Sequence, residues 1–459
     1  MAERSLNDVK GEQVLVVGFG RSGIAAAEEL LKAGALVTIQ DSKKENDLDP
    51  QLVSRFREQG AMFCLGQKPA DVSKYEMVVL SPGVTPELDF VQEAAAAGAE
   101  IIGELELAYR LGHGKYVAIT GTNGKTTTTS LAGEIFQKAG RKTHVVGNIG
   151  VAVISASAEA GEEDWMVTEC SSFQLETTRY FHPVVSAILN LTPDHLNRHH
   201  TMEAYGAAKA KIFANQTTAE HLVINYDDKT CWALAEGCPA KVVPFSGETE
   251  LEYGAFLKDG VITIRDDEGA EIPICGTDEM KIIGKHNHMN ALAAAAVCYF
   301  AGIDPEIIAR GIREFGGVEH RIEYCGTIGG VRYYNDSKGT NTDAAETAIA
   351  ALDKDIILIA GGDAKGQNFD QFVKSFPGHV KQVIFLGRDA HFIAESCDRI
   401  GYRDYTFCSD MEECVNKAAE SAAPGDAVLL SPACASWDMY SDYEQRGRHF
   451  KDCVRRIRQ

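Results

Sequence analysis

The run Ile119-Thr120-Gly121-Thr122-Asn123-Gly124-Lys125-Thr126-Thr127 follows the apolar stretch Tyr116 to Ala118 and precedes a helix-prone stretch. Strand, glycine loop and helix in that order make a nucleoside triphosphate site and commit this part of the chain to an α/β layer. The glycines let backbone N–H groups close around phosphate oxygens, and the helix N-terminus adds positive potential. ATP is therefore the expected ligand, cradled by Gly121, Thr122, Asn123, Gly124, Lys125, Thr126 and Thr127. Lys125 is expected at the β/γ-phosphates, and the Thr126 hydroxyl on Mg²⁺. The general pattern has a glycine five residues before the second one, where this chain has Ile119. The shortened GTNGKT loop points away from the common GTPases toward a narrower group of ATPases.

With 459 residues the chain has room for about three domains, each able to bury its own core. The 45 basic and 66 acidic residues leave a net charge of −21, which argues against a broad nucleic-acid surface. Twelve cysteines occur without a CxxC pair and read as reduced thiols rather than a zinc site. The polar stretch Met1 to Gln13 does not read as a signal peptide. The longest near-apolar stretch, Ala291 to Ile303, is too short to span a bilayer. A cytoplasmic enzyme without membrane insertion is the expectation.

Three strand-and-glycine-loop openings recur along the chain, suggesting three α/β units. The first opens at Val14 to Val17, turns through Gly18-Phe19-Gly20-Arg21-Ser22-Gly23, and returns as Leu36 to Ile39, ending at Asp41. A further strand, Met77 to Leu80, leads into Ser81-Pro82-Gly83. The second unit carries the ATP loop and apolar strands at Trp165 to Glu169, Val184 to Asn190 and Leu222 to Asn225. Residues 248–275 read as a small antiparallel insertion, 287–301 as helix, and Gly316-Gly317 as a hinge between the units that closure would use. The third unit carries Val331 to Tyr334, Ile356 to Ala360, Val383 to Leu386 and Ala427 to Leu430. Function is expected at the carboxyl ends of these strands.

The GxGxxG after the first strand, with Asp41 ending the next, matches a dinucleotide fingerprint. Backbone N–H groups see only phosphate oxygens, so the same loop suits any diphosphate. With an ATP loop downstream, a nucleotide-linked substrate is expected here and no NAD. A nicotinamide oxidoreductase or a nucleotide-binding switch stands as the more distant alternative. For a metal, Glu169 ends a buried strand and His195 lies in the polar turn Asn190-Leu191-Thr192-Pro193-Asp194-His195, both at strand ends of one inferred sheet. By spacing alone, Lys209 reads as an ordinary solvated helix lysine.

Several segments carry a family resemblance in order along nearly the whole chain. They are GTNGKTT, Glu169-Cys170-Ser171-Ser172, Leu191-Thr192-Pro193-Asp194-His195, Gly284-Lys285-His286-Asn287, Glu319-His320-Arg321 and Asn335-Asp336-Ser337-Lys338. The chain resembles the Mur ligases and their folylpolyglutamate synthetase relatives. Within that family, Ser431-Pro432-Ala433-Cys434-Ala435-Ser436-Trp437-Asp438 and GFGRSG are most similar to members that add D-glutamate. No Asp-Asn-Pro-Arg motif of the diaminopimelate-adding type is present. A sister ligase adding a different amino acid is the nearer alternative.

The resemblance implies an ATP-dependent amide ligase joining D-glutamate to UDP-N-acetylmuramoyl-L-alanine through an acyl phosphate, in cytoplasmic peptidoglycan precursor synthesis. It implies three domains: a Rossmann-like UDP-binding domain over 1–110, a central P-loop ATPase-like domain with a mostly parallel sheet over 111–317, and a C-terminal Rossmann-like α/β domain over 318–459. Lys125, Lys209, His195 and His320 would be catalytic, and Asn287, Asn290, Arg321 and Asp336 would join the loop around ATP. Gly18, Arg21, Ser22, Asp41, Ser42, Ser81, Gly83, Asn148 and Ser171 would hold the UDP substrate. Lys338, Thr340, Lys365, Ser436 and Tyr443 would form the D-glutamate pocket, where Tyr443 departs from the family's usual phenylalanine. Two Mg²⁺ ions are implied, on Thr126, Glu169, His195 and a carbamylated Lys209. A monomer is implied as well.

Overall fold

The computed structural model describes residues 9–352 and 354–457. Apolar runs such as Val14–Val17 and Ile356–Ala360 are buried on both faces, as central strands of parallel sheets must be. The first sheet has β1 (Gln13–Val17), β2 (Leu36–Asp41), β3 (Met62–Leu65), β4 (Met77–Leu80) and β5 (Glu100–Gly103), all parallel in the order β3-β2-β1-β4-β5. The strand order reverses between β1 and β4, and that switch point opens a crevice at their carboxyl ends.

The central sheet takes β6 (Lys115–Thr120), β7 (Thr143–Gly147), β8 (Trp165–Glu169), β9 (Val185–Ile188), β10 (His221–Asn225), β11 (Lys241–Ser246), β12 (Gly254–Lys258), β13 (Val261–Arg265) and β14 (Glu271–Gly276). Its order is β14-β13-β12-β11-β10-β9-β6-β8-β7, parallel up to β12 and antiparallel beyond. The expected insertion is thus antiparallel, but it continues the main sheet because β12 pairs in parallel with β11. The third sheet has β15 (Glu323–Ile328), β16 (Val331–Asn335), β17 (Ile356–Ala360), β18 (Val380–Phe385), β19 (Tyr405–Phe407) and β20 (Ala427–Leu430) in the order β15-β16-β20-β17-β18-β19. Only β15 is antiparallel.

The described chain packs as two compact units. One runs up to Met280 and takes in His288–Glu314, and the other comprises Lys281–Asn287 and the chain from Phe315 onward. A unit boundary falls beside the expected Gly316-Gly317 hinge. The helix Glu104–Leu111 joins the first two sheets within their unit. Its Glu106 is fully buried and accepts backbone N–H bonds from Arg179, Tyr180 and Phe181, while Arg110 pairs with both Glu106 and Glu100. The helix Lys285–Phe300 is alanine-rich, and Ala291 to Cys298 are wholly buried, which suits a helix enclosed on every side. No helix among the described residues is long and apolar enough to cross a membrane, and all twelve cysteines are free thiols.

Candidate active site

The phosphate loop leaves β6 and enters the helix Lys125–Lys138. Gly124 has φ +82°, and a Cβ there would lie 2.2 Å from Asn290 Oδ1, so only glycine fits. The neighbouring turn after β9 clamps the loop. Asn190 Oδ1 accepts from Asn123 N at 2.8 Å, and Asn190 Nδ2 donates to Asn123 O at 3.1 Å. Thr122 Oγ1 donates to Thr192 O and accepts from Thr192 N, both at 3.1 Å. Lys125 Nζ donates to Gly121 O and Thr122 O at 2.9 and 2.8 Å, so it lies folded over the cradle. Thr126 and Thr127 are buried in the first helical turn, and Asn290 Oδ1 accepts from Thr128 Oγ1 at 3.3 Å.

Lys209 is not a solvated lysine. It is 1% exposed at the end of the helix Met202–Ala210, and its Nζ donates to Gly121 O at 2.9 Å. Its amine lies over the Tyr205 ring, 4.6 Å from the centroid. Burial, with the Lys125 charge adding to it, drives its pKa well below the ordinary lysine value, so the neutral amine is favoured. The helix is short and rich in alanine, and nothing in its own pattern signals that this side chain turns inward.

Glu169 is 1% exposed at the end of β8. Its Oε1 accepts from Asn148 Nδ2 at 2.8 Å, while its buried Oε2 has no hydrogen-bond partner among the described residues. An anionic oxygen left without a donor in a buried position is the kind of group that a Mg²⁺ ion satisfies. His195 is exposed, adopts a left-handed backbone (φ +54°), and packs on Phe173 with ring centroids 4.8 Å apart. Its pKa is lowered, chiefly by partial desolvation of the ring where it packs on its neighbours.

Gly18 and Ser81 meet at the switch point, where Ser81 Oγ donates to Gly18 O at 3.3 Å. Asp41 accepts from Phe19 N at 2.7 Å and from Lys43 N at 2.8 Å, so it organises the glycine loop as well as facing its crevice. Arg21 and Ser22 open the helix Arg21–Lys32, and Arg21 reaches Gly150 O at 2.7 Å, in the same Gly147-Asn148-Ile149-Gly150 turn as Asn148. Ser42 and Gly83 are exposed loop residues. Ser171 caps its helix by accepting from Gln174 N. A cavity of about 390 Å³ is lined by Pro82, Gly83, Lys125, Asn148, Ser171, Phe173, His195, Tyr205 and Lys209, among others. It joins the wall after β4 to the phosphate loop.

In the other unit, Asp336 is buried and accepts from Ser431 Oγ at 2.7 Å and Ile322 N at 3.2 Å. Burial pushes its carboxyl up to about 7. His320 is buried and bonded through Nδ1 to Asn335 Nδ2 at 2.8 Å, and Arg321 follows it with a buried Nε that has no partner among the described residues. Lys338 lies over the Tyr443 ring at 5.7 Å and Lys365 over the Trp437 ring at 5.0 Å, next to buried Ser436. Thr340 is half-buried in the turn after Lys338. Arg446 threads these segments together, donating to Ser337 Oγ, Ser337 O, Cys434 O and Ala435 O. Asn287 Nδ2 donates to Ile283 O at 2.7 Å.

Residues 12–103 match the Mur ligase MurD-like N-terminal domain, 119–298 the Mur ligase middle domain, and 320–434 the Mur ligase glutamate ligase domain. The chain belongs to the Mur ligase family. It is 48% identical over 454 residues to the UDP-N-acetylmuramoylalanine--D-glutamate ligase of Thermoanaerobacter sp. (strain X514), covering 98% of this chain and 100% of that relative. It is 46% identical over 452 residues to the ligase of the same name from Clostridioides difficile (strain 630), with the same coverage. Among solved structures, UDP-N-acetylmuramate-alanine ligase from Thermotoga maritima is similar in fold, with a TM-score of 0.58 at 19% identity over 97% of this chain and 99% of that one. A pseudomurein peptide ligase type C from Methanothermus fervidus has a TM-score of 0.58 at 19% identity, over 97% and 100%.

In this Mur ligase, sequence reasoning passed over Asn190, Phe173, Tyr205, Arg198 and Arg446. Arg198 donates to Pro82 O and Val84 O at 3.1 and 2.9 Å, pinning the wall after β4 to the turn that carries His195. Asn190 alone carried a signal, since a polar residue ending a buried strand beside a phosphate loop is placed to brace it.

Proposed function

We propose that this Mur ligase joins D-glutamate to UDP-N-acetylmuramoyl-L-alanine, with ATP converted to ADP and phosphate. The cavity lined by Lys125 and Lys209 together with Pro82, Gly83, Asn148 and Ser171 carries the reading, because its joint lining suits a phosphoryl donor meeting a substrate there. The full-length identity to ligases named for this reaction supports it. A carboxylate is a poor electrophile, so the alanyl carboxylate attacks the γ-phosphorus of ATP and releases ADP. The D-glutamate amine then attacks the acyl phosphate, and phosphate leaves as the amide forms. Lys125 and the loop N–H groups stabilise the moving phosphoryl charge.

Thr126 would hold one Mg²⁺, and a carbamylated Lys209 with Glu169 and His195 would help place a second; bound Mg²⁺ would offset the charge of the phosphoryl oxygens. The buried, neutral-leaning Lys209 amine supports this reading, since only an unprotonated amine captures CO₂. Gly18, Arg21, Ser22, Asp41, Ser42, Ser81 and Gly83 would hold the uridine diphosphate, with Asn148 and Ser171 on the muramoyl-alanine part. Asn287, Asn290, Arg321 and Asp336 would complete the ATP site. Lys338, Thr340, Lys365, Ser436 and Tyr443 would take the amino acid, cations and hydroxyls suiting its two carboxylates. The proposed domain bounds are 1–110, 111–317 and 318–459, in a cytoplasmic monomer.

The test is phosphate release with each combination of uridine nucleotide and amino acid. Release that requires both UDP-N-acetylmuramoyl-L-alanine and D-glutamate is expected. Release driven equally by another amino acid would replace the reading with that of a sister ligase.

A further inference from the structure

Asn335, at the end of β16, is fully buried, and its amide orientation is dictated by its neighbours. On one side its Oδ1 accepts from Ser337 N at 3.1 Å. On the other, its Nδ2 lies 2.9 Å from Glu323 Oε2 and 2.8 Å from His320 Nδ1. A carboxylate has no proton to give, so the group facing Glu323 must be the NH₂. One of its two protons goes to Glu323 and the other to His320. Nδ1 must therefore present its lone pair, and the ring proton must sit on Nε2. Glu323 also accepts from the His320 backbone N–H at 2.9 Å, and Lys451 Nζ supplies its counter-charge at 2.9 Å.

Lys451 also bonds Glu319 at 2.5 Å, so an ammonium already satisfies this acidic pair and leaves no reason to place a metal there. A Cβ on Gly447 would stand 2.2 Å from His320 Nδ1 and 3.0 Å from Asn335 Nδ2. The helix Tyr443–Ile457 thus covers the bond and excludes a competing water. We infer that Asn335, held by Glu323 and Lys451, is a positioning residue that keeps His320 neutral with its proton on Nε2. Within the ligase reaction proposed above, on which this role rests, His320 then acts as a hydrogen-bond donor to an anionic oxygen, a carboxylate or a phosphoryl group. It serves neither as a base nor as a fixed cation.

The charged groups around the ring are Glu319, Glu323, Glu444 and Lys451, with the Tyr443 ring edge-on at 6.1 Å. Burial lowers the His320 pKa against the pull of Glu319, in keeping with a neutral ring. Nε2 itself is buried without a hydrogen-bond partner among the described residues, 3.7 Å from Glu319 Oε1. It is a donor awaiting an acceptor.

The tautomer is read by ¹H–¹⁵N NMR of the histidine-labelled full chain without ligands, His320→Gln assigning the signal. The expected spectrum shows a bare Nδ1 and a protonated Nε2, with the ring staying neutral to a lower pH than an ordinary imidazole. Asn335→Asp places an acceptor at Nδ1. It should move the proton to Nδ1 or make the imidazolium, and reduce phosphate release about tenfold or more. Should that variant not fold, Asn335→Leu removes the donor and should give mixed tautomers. An Nδ1–H or imidazolium ring in the parent protein, or a tautomer unchanged by loss of the Asn335 donor, would overturn the inference. The spectrum does not depend on turnover, so an error in the assigned substrate would appear in phosphate release alone.

Discussion

At the scale of single residues, the site depends on side chains that act through the phosphate loop. Lys125 closes over two loop carbonyls, which it can leave when a phosphate arrives. Lys125→Ala should abolish phosphate release while leaving the thermal midpoint and uridine-substrate binding nearly unchanged. Asn190 makes two hydrogen bonds to the Asn123 backbone, worth about 1 kcal/mol each, so Asn190→Ala should raise the KM for ATP by about tenfold or more. Steady-state kinetics with ATP varied would check this, and an unchanged KM would mean the loop holds its shape alone. Lys209 buries an amine that would rather be neutral. Lys209→Met should remove turnover yet leave the protein as stable as its parent or more so, because burying a lysine costs free energy to strip its amine of water and of its proton, and a methionine avoids both. A large fall in the thermal midpoint would contradict that. Gly121, Gly124 and Lys125 were legible because a phosphate cradle needs them at fixed spacing. Lys209 was not, because its chemistry comes from the residues packed around it.

Among the elements, the helix Glu104–Leu111 does more than connect two sheets. Glu104 is 2% exposed and accepts from Ile154 N at 2.7 Å, serving the start of the helix Val153–Glu159, which has no side-chain cap of its own. Burial pushes its carboxyl up to about 7. The unfolded chain loses this proton at an ordinary carboxylate pH, whereas the folded protein keeps it longer. Stability should therefore fall as pH rises from about 4.5 to about 7 and level off above, with a total on the order of 3 kcal/mol. Glu104→Gln keeps the acceptor and removes the charge, so it should raise the thermal midpoint by several degrees at pH 8 and have little effect near pH 4.5. Melting curves across that range decide it. The strands themselves were readable from their apolar runs, and β12 to β14 from their alternation. That these three strands extend the central sheet depends on the pairing of β11 with β12, which no local pattern encodes.

Over the whole molecule, the division into units cuts across the order of the chain. The helix Pro305–Glu314 buries Ile308, Ala309 and Ile312, and a Cβ on its Gly311 would stand 2.4 Å from Ile135 in the helix of the phosphate loop. A fragment ending at residue 314 should fold cooperatively. One ending at residue 280 should not, having lost the cover over Lys125–Lys138; circular dichroism melts of both would show the contrast. The fold class, the phosphate loop, the crevice-facing glycine loop and the order of family motifs were all determined by the sequence, because each is a local pattern of spacing and residue type. The tertiary structure alone decided which polar groups lie buried and what they touch. It turned Lys209 inward, left Glu169 Oε2 without a donor among the described residues, set Asn190 against the loop and aimed the Asn335 amide at His320. Those outcomes depend on residues far apart in the chain, and the chemistry of a buried group is set by its neighbours rather than by its own identity.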